Sequence, residues 1–305
     1  MKNQQKFDVI IIGGSYAGLS AAMTLGRARR QVLIIDNGQP CNKQVLHAHN
    51  LLTQDGEPPA VIAAKAREQV LRYPTITIIN TKAVSAIKQE NKFQVSTASG
   101  EQFSARKLLF AAGVIDLMPD IGGFASCWGI SIANCPYCHG YEVVNTKIGV
   151  LGNGDAGFDF SKLINNWTND LTLFTEGKST LTEDQTQKLK SYNISIVESE
   201  IETIEHENGQ IKNLVLSDGN KFPLTTLFAR VPFKPSTTIP QELGCELTET
   251  GLITGLIKTD AFQKTTVPGV FAAGDNSGMR SLSSAIATGT TAGAFINHEL
   301  INDDF

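Results

Sequence analysis

Residues 7–18 read FDVIIIGGSYAG, and the following LSAAMTLG (19–26) and QVLIID (31–36) complete the passage that decides the fold. Phe7 to Ile12 is a mainly apolar run that ends in glycines, Leu19 to Gly26 is amphipathic, and Gln31 to Ile35 is a second apolar run closed by Asp36. Short apolar runs bounded by glycine predict buried strands, and the helical period between them predicts a helix. Strand, tight turn, helix and strand make a βαβ unit. Its turn, Gly13-Gly14-Ser15-Tyr16-Ala17-Gly18, follows the G-x-G-x-x-G pattern except at Ser15, which replaces the second required glycine. Serine is the next smallest residue, so a pyrophosphate can still approach the backbone. Asp36 lies 18 positions beyond Gly18, at the spacing of a carboxylate that accepts a hydrogen bond from a ribose hydroxyl. The competing reading is a βαβ turn that binds nothing.

The same grammar returns later. Lys147 to Leu151 predicts a strand, Gly152-Asn153-Gly154-Asp155-Ala156-Gly157 a turn with the complete glycine pattern, Phe158 to Trp167 a helix, and Leu171 to Phe174 a strand. Glu176 stands 19 positions beyond Gly157. Helix-start amides and the helix dipole at this second turn would hold the pyrophosphate of a nicotinamide nucleotide, unless the second fold goes unused. Between the two units, Ile76–Thr97 and Gln102–Phe110 alternate like antiparallel strands, and 194–228 does the same with turns at Asn208-Gly209 and Asp218-Gly219-Asn220. The segment 232–240 reads as a linker, and Val267 to Asp275 as a buried strand ending in Gly274-Asp275, followed by a Ser/Ala-rich helix.

The 305 residues are roughly twice one domain, so two domains are expected. The predicted class is α/β, with two Rossmann-like dinucleotide-binding domains of three-layer ββα type, the second inserted into the first. Residues 1–116 form the first part of one domain, 117–236 the inserted domain, and 237–305 the returning part. A net charge of −4 and the lack of any long basic run argue against nucleic acid. The polar start lacks the apolar stretch of a secretory signal, and no apolar run approaches membrane length, so a cytoplasmic protein without membrane contact is expected.

Of the five cysteines, only Cys135-Pro136-Tyr137-Cys138 forms a close pair. Two thiols within four residues at a helix start can close a disulfide, and the dipole lowers the leading thiol's pKa. His139 follows and can move the proton that thiol exchange requires. A zinc site would recruit Cys127 and His139, but no second CxxC supports one, and no metal is expected. A structural disulfide without turnover is the other rival. Cys127 and Cys245 read as small buried hydrophobes, and Cys41 as a packing contact near the first nucleotide. His47 and His49 are either ordinary loop residues or neighbours of a flavin or substrate.

The order of GGSYAGLSAA (13–22), Ala112-Gly113, CPYC (135–138), GNGDAG (152–157) and PGVFAAGD (268–275) resembles the low-molecular-weight thioredoxin reductase family along essentially the whole chain. The resemblance implies FAD held by Gly13, Gly14, Ser15, Ala17, Gly18, Asp36, Ala112, Gly113, Gly274 and Asp275, with the Ala83 backbone near the adenine. It implies NADPH or NADH at Gly152, Gly154, Gly157 and Glu176. Cys138 would lie against the isoalloxazine, Cys135 would attack the substrate disulfide, and His139 would occupy the place of an acidic proton donor. It further implies a homodimer and interdomain rotation about hinges near 117 and 236. CPYCHGYE and the 47–50 loop are more similar to the branch acting on dithiols of the gliotoxin and holomycin type. The arginine-rich 2′-phosphate motif is replaced by Thr175-Glu176-Gly177-Lys178, and an Arg-Gln pair of the last helix by Ser283-Ser284. The leading expectation is a reductase passing electrons from NAD(P)H through FAD and Cys135/Cys138 to the disulfide of a thioredoxin-like protein or a small molecule. A dithiol oxidase using oxygen without pyridine nucleotide is the alternative, and a flavoprotein scaffold without turnover the third reading.

Overall fold

The computed structural model describes residues 6–249 and 254–305. The chain forms two compact units: one comprises the residues through Lys43, Ala60–Ile115 and Phe233–Phe305, and the other Gln44–Pro59 and Asp116–Pro232. The short segment 44–59 thus leaves the first unit to pack with the second.

In the first unit, β1 (Lys6–Ile12), α1 (Tyr16–Arg27) and β2 (Val32–Asp36) are the expected βαβ element. They are followed by α2 (Pro59–Leu71), β3 (Ile76–Asn80), β4 (Ala83–Gln89), β5 (Lys92–Thr97) and β6 (Gln102–Phe110). The sheet runs β3-β2-β1-β6-β5-β4. Alternation in 76–97 suggested antiparallel strands throughout, but β3 is parallel to β2, with Ile34 opposite Ile78. The preceding helix α2 carries the chain back across the sheet, which a parallel crossover requires. Only β4, β5 and the start of β6 form an antiparallel meander, while β6 also runs parallel to β1. Val9, Ile10, Ile11 and Leu33 are fully buried, as strands covered on both faces must be.

The chain continues through β7 (Val114–Asp116), α3 (Phe124–Cys127), β8 (Ile132–Ala133), α4 (Pro136–His139) and a single 3₁₀ turn at Tyr141–Val143. Then come β9 (Ile148–Leu151), α5 (Gly154–Ile164), β10 (Leu171–Phe174), α6 (Glu183–Ser191) and β11 (Ser195–Val197). The strands β12 (Ile201–Glu207), β13 (Gln210–Leu216) and β14 (Lys221–Pro223) make an antiparallel meander, and β15 (Thr226–Ala229) returns to the parallel sheet β11-β10-β9-β15-β8. The linker expected at 232–240 contains a strand, β16 (Phe233–Pro235), paired with β7, and the start of α7 (Ile239–Glu242).

The chain ends with β17 (Val270–Ala272), which joins β6 in parallel, and the long α8 (Leu282–Asp304). Small residues let α8 lie directly on α1: a Cβ on Gly289 would come within 2.2 Å of the Ala17 carbonyl oxygen, and one on Gly293 within 2.8 Å of that of Ala21. The far end of α8 is held by ion pairs of Lys107 with Glu299 (2.9 Å) and of Arg30 with Asp304 (2.9 Å). This packing fixes the position of the first glycine turn from behind.

Candidate active site

The first turn is a place where backbone meets backbone. Gly13 adopts φ +108°, and a Cβ there would lie 2.2 Å from the Ala111 carbonyl oxygen; a Cβ on Gly18 would lie 1.9 Å from the Gly13 oxygen. Gly14 lies against Asp36, at the end of β2, so that a Cβ would be 2.8 Å from the Asp36 Cβ. Ser15 is the N-cap of α1, yet it makes no side-chain capping bond, and the first turn of the helix carries no acid. A helix start left in this condition keeps donors and positive dipole for an anion. Gly113, beside Ala112, has φ +68° and open space where a side chain would be. Gly274, at φ +82°, brings the returning segment so close to α1 that a Cβ there would lie 2.9 Å from Ala17 Cβ, which places Asp275 at the same end of the sheet. Asp275 Oδ2 lies 3.7 Å from Arg280 Nε and accepts a weak contact from the Cys41 thiol at 3.8 Å. Ala83 is buried at the start of β4. An uncapped helix start, a glycine-lined approach and a carboxylate at the second strand end fit the pyrophosphate and ribose of a dinucleotide such as FAD.

The second turn has the same outline and a different interior. Gly152 and Gly157 pack on each other, with a Cβ on Gly157 falling 2.7 Å from the Gly152 carbonyl carbon. The helix α5 begins inside the turn, at Gly154, and Asn153 caps it: Oδ1 accepts from Gly154 N at 2.8 Å. The same oxygen accepts from Thr180 N (2.8 Å) and Thr180 Oγ1 (3.0 Å), while Nδ2 donates to the carbonyls of Thr175 and Lys178, both at 3.0 Å. A Cβ on Gly154 would meet Thr180 Oγ1 at 2.9 Å, so the 175–180 loop lies over the turn. Asp155 puts a negative group in the first turn of α5 and accepts from Gln185 Nε2 at 2.7 Å. Glu176, with φ +49°, directs its carboxylate inward to accept the Ile201 N–H at 2.8 Å. Burial raises its pKa above the usual carboxylate value, partly offset by that hydrogen bond, with Glu200 adding to the rise. Sequence spacing locates Asn153 within the turn but says nothing of this plug, whose partners come from the far side of β10.

Cys135 and Cys138 are joined as a disulfide, with Cα atoms 5.3 Å apart. Cys135 is the N-cap of α4 and Pro136 opens the helix, whose one turn is too short to supply much of the dipole expected from the sequence. Gly140 ends the turn where no side chain fits: a Cβ would lie 2.5 Å from the Pro136 oxygen and 2.8 Å from Trp167 Nε1. Tyr137 is exposed and meets Trp167 edge-on, with ring centroids 5.6 Å apart. Both ring nitrogens of His139 are shut off from solvent without a hydrogen bond of regular geometry. Burial lowers the pKa of His139, opposed by the Cys135 backbone and the Glu142 carboxylate and reinforced by His49, so the ring is neutral near pH 7 and can take a proton. Of the other cysteines, Cys127 and Cys245 are buried and Cys41 is exposed.

The loop that carries His47 and His49 is clasped by its own backbone. Ala48 N donates to Glu57 O, Gly56 N donates to Ala48 O, and a His47 ring nitrogen pairs with Gly56 O, each at 2.8–2.9 Å. His49 is thereby set between two carboxylates, 3.6 Å from Asp55 and 3.4 Å from Glu142.

Residues 7–289 match the family model described as pyridine nucleotide-disulphide oxidoreductase. A protein named thioredoxin reductase sirT, from Leptosphaeria maculans, is 31% identical over 98% of this chain and 95% of its own length. The crystal structure of an oxidoreductase from Agrobacterium tumefaciens superposes with a TM-score of 0.91 at 36% identity, covering 97% of this chain and 99% of the other. A structure titled putative thioredoxin reductase TrxB, from Bacillus anthracis, gives a TM-score of 0.93 at 28% identity over 98% and 100% of the two chains. The family model spans most of the chain, and the chain belongs to the pyridine nucleotide-disulphide oxidoreductase family, as an enzyme of the thioredoxin reductase-like kind.

Proposed function

We propose that this chain is an FAD-dependent thiol–disulfide oxidoreductase whose electrons enter from a dithiol through Cys135 and Cys138, with oxygen as the final acceptor. The observation that carries this reading is the second glycine turn, where Asn153 accepts the first amide of α5 and Thr180, bonded to Asn153, lies over Gly154. A carboxylate in the first turn of α5 further disfavours an anion there. The first turn, by contrast, leaves its helix start without a side-chain cap, and FAD is assigned to it and to Asp36, Gly113, Gly274 and Asp275.

In this reading a thiolate of the substrate attacks the Cys135 sulfur, the 135–138 bond breaks, and Cys138 leaves as a thiolate. The second substrate thiol then attacks the mixed disulfide, which releases the oxidised substrate and Cys135. His139, neutral and next in sequence to Cys138, takes up a thiol proton. Bound FAD would supply the two-electron acceptor that reoxidises the dithiol.

The NAD(P)H-driven reductase is the second reading, supported by the complete G-x-G-x-x-G pattern at a parallel strand–helix crossover. Oxygen uptake by FAD-loaded protein supplied with dithiothreitol and no nicotinamide tests the choice. Uptake that both Cys135→Ser and Cys138→Ser abolish is expected. No uptake with the dithiol, but disulfide reduction with NADH or NADPH, would return the reductase.

A further inference from the structure

The residues that carry the disulfide begin a helical run longer than α4 alone. Pro136–His139 is followed by Gly140 with helical angles (φ −81°, ψ −32°) and by the 3₁₀ turn at Tyr141–Val143, so the right-handed coil continues unbroken from 136 to 143. On such a run, positions three and four apart are surface neighbours. Tyr137, Tyr141 and Val144 therefore line one stripe, and Tyr141, three positions after Cys138, joins that stripe to the sulfur bridge. The stripe faces outward: Tyr137 is 63% exposed, Tyr141 81% and Val144 40%. It carries no charge, and Glu142, four positions after Cys138, stands on the other side of the bridge. Tyr137 is braced, since its ring meets Trp167 edge-on with centroids 5.6 Å apart. The same Trp167 packs against Gly140, and its carbonyl accepts the Asn145 N–H at 2.9 Å just past the end of the run. Single exposed apolar residues are ordinary, but a contiguous set beside a reactive group marks a contact surface.

We propose that Tyr137 and Tyr141 select the substrate of the redox disulfide, a small dithiol whose carbon frame carries a flat apolar ring. The inference rests on the dithiol reading above and deepens it. A substrate thiol that bonds to Cys135 leaves the rest of its molecule within a few bonds of the surface around the sulfur bridge, so the stripe meets the body of the substrate. Its size decides between a small molecule and a protein. Aromatic side chains offer about 150–250 Å² each, so two partly exposed rings supply on the order of 300 Å², against about 800 Å² on each side of a standard protein–protein interface. Its chemistry narrows the class further. A flat ring gains stacked or edge-on contact with the tyrosines, whereas a charged frame would lose hydration there without finding a partner. The two tyrosines hold and orient the substrate; they form no bond with it and move no proton.

The test uses FAD-loaded protein reduced anaerobically by either of two dithiols, with the flavin absorbance followed. Dithiothreitol has a hydrophilic frame, and ortho-xylylene dithiol is built on a benzene ring. The quantity read is the ratio of the two bleaching rates at subsaturating dithiol, in which any general loss of function cancels. In Tyr137→Ala and in Tyr141→Ala the aromatic-to-hydrophilic ratio should fall by roughly 2- to 10-fold, the value of one aromatic contact, and in the double variant by more. The fall should appear as a higher concentration of the aromatic dithiol at half-maximal rate. Tyr137→Phe and Tyr141→Phe keep the rings and should keep the parent ratio. A merely structural role for the tyrosines would slow both dithiols alike. Parent protein that only dithiothreitol bleaches, or alanine variants that retain the parent ratio, would overturn the selection alone. Variants that retain the ratio but lose reaction with reduced thioredoxin would make the stripe a protein contact and overturn it equally. Parent protein that neither dithiol bleaches would overturn the dithiol reading, and the selection with it.

Discussion

The two glycine turns have the same sequence grammar and opposite fillings. At 13–18 the pattern is imperfect, with Ser15 in place of a glycine, yet the helix start has neither side-chain cap nor acid. At 152–157 the pattern is complete, yet Asn153 accepts the first amide of α5, the 175–180 loop is bonded to Asn153 over the turn, and Asp155 adds a negative charge. In both turns the glycines are required for backbone packing, whatever is bound: Gly18 against Gly13 in one, Gly157 against Gly152 in the other. The fingerprint therefore reports a tight strand–helix turn.

The sharpest way to break this comparison is to insert the same methyl group in each turn. Gly18→Ala forces a Cβ to within 1.9 Å of a carbonyl oxygen and should cost about 3 kcal/mol or more of stability, with loss of bound flavin. Gly157→Ala should also lower the thermal midpoint, because its Cβ would come within 2.7 Å of backbone, while the protein that remains folded keeps its flavin. Flavin absorbance after gel filtration, read beside thermal unfolding, separates the two; a folded Gly157→Ala variant that sheds flavin would contradict the assignment.

Next in size are the two strand-end carboxylates. Asp36→Ala should weaken flavin retention by roughly 1–3 kcal/mol, the value of a hydrogen bond to a charged acceptor. Glu176→Ala should leave retention unchanged, since that carboxylate serves the Ile201 amide. Equilibrium dialysis of FAD compares them directly. Asn153→Ala removes the cap of α5 and should destabilise the protein by about 0.5–2 kcal/mol without affecting flavin content. If the plug alone excludes a nicotinamide nucleotide, the same variant should gain some response to NADH.

The smallest effect is a pH dependence. Burial raises the Glu176 pKa, so the folded state holds that proton more tightly than the unfolded chain does. Stability from this group is greatest below the ordinary glutamate value and falls as the pH rises from that value through the raised one. Glu176→Gln should abolish this decline, seen as a smaller loss of denaturant midpoint between mildly acid and neutral pH than in the parent.

Much of this was legible in the sequence because it is local. The βαβ turns, Asp36 and Glu176 at the strand ends, the CPYC pair and the order of the segments all follow from spacing and hydrophobic period. What was not legible depends on contacts between distant positions. The strand 76–80 alternates like an antiparallel strand, but a helix-length crossover from β2 makes it parallel. Asn153 bonds residues 22 to 27 positions away, and nothing in a glycine turn reveals where its variable side chain will point. The close packing of α8 on α1 had a signal, small residues at 285, 289 and 293, whose meaning depends on which helix lies opposite. The segment 44–59 sits in sequence between two elements of the first unit and packs with the second, so the pairing of His49 with Glu142 could not be read from either motif alone.

The central claim is that electrons enter through the disulfide and not through the second dinucleotide fold. One anaerobic experiment bears on it most directly: FAD-loaded protein is divided and titrated with dithiothreitol, NADH or NADPH while the flavin absorbance is followed. Bleaching by the dithiol that requires both Cys135 and Cys138, with no bleaching by either nucleotide, is the predicted result. Rapid, stoichiometric bleaching by NADH or NADPH in the unmodified protein would contradict it, since the Asn153–Thr180 plug would then have to open for a nucleotide.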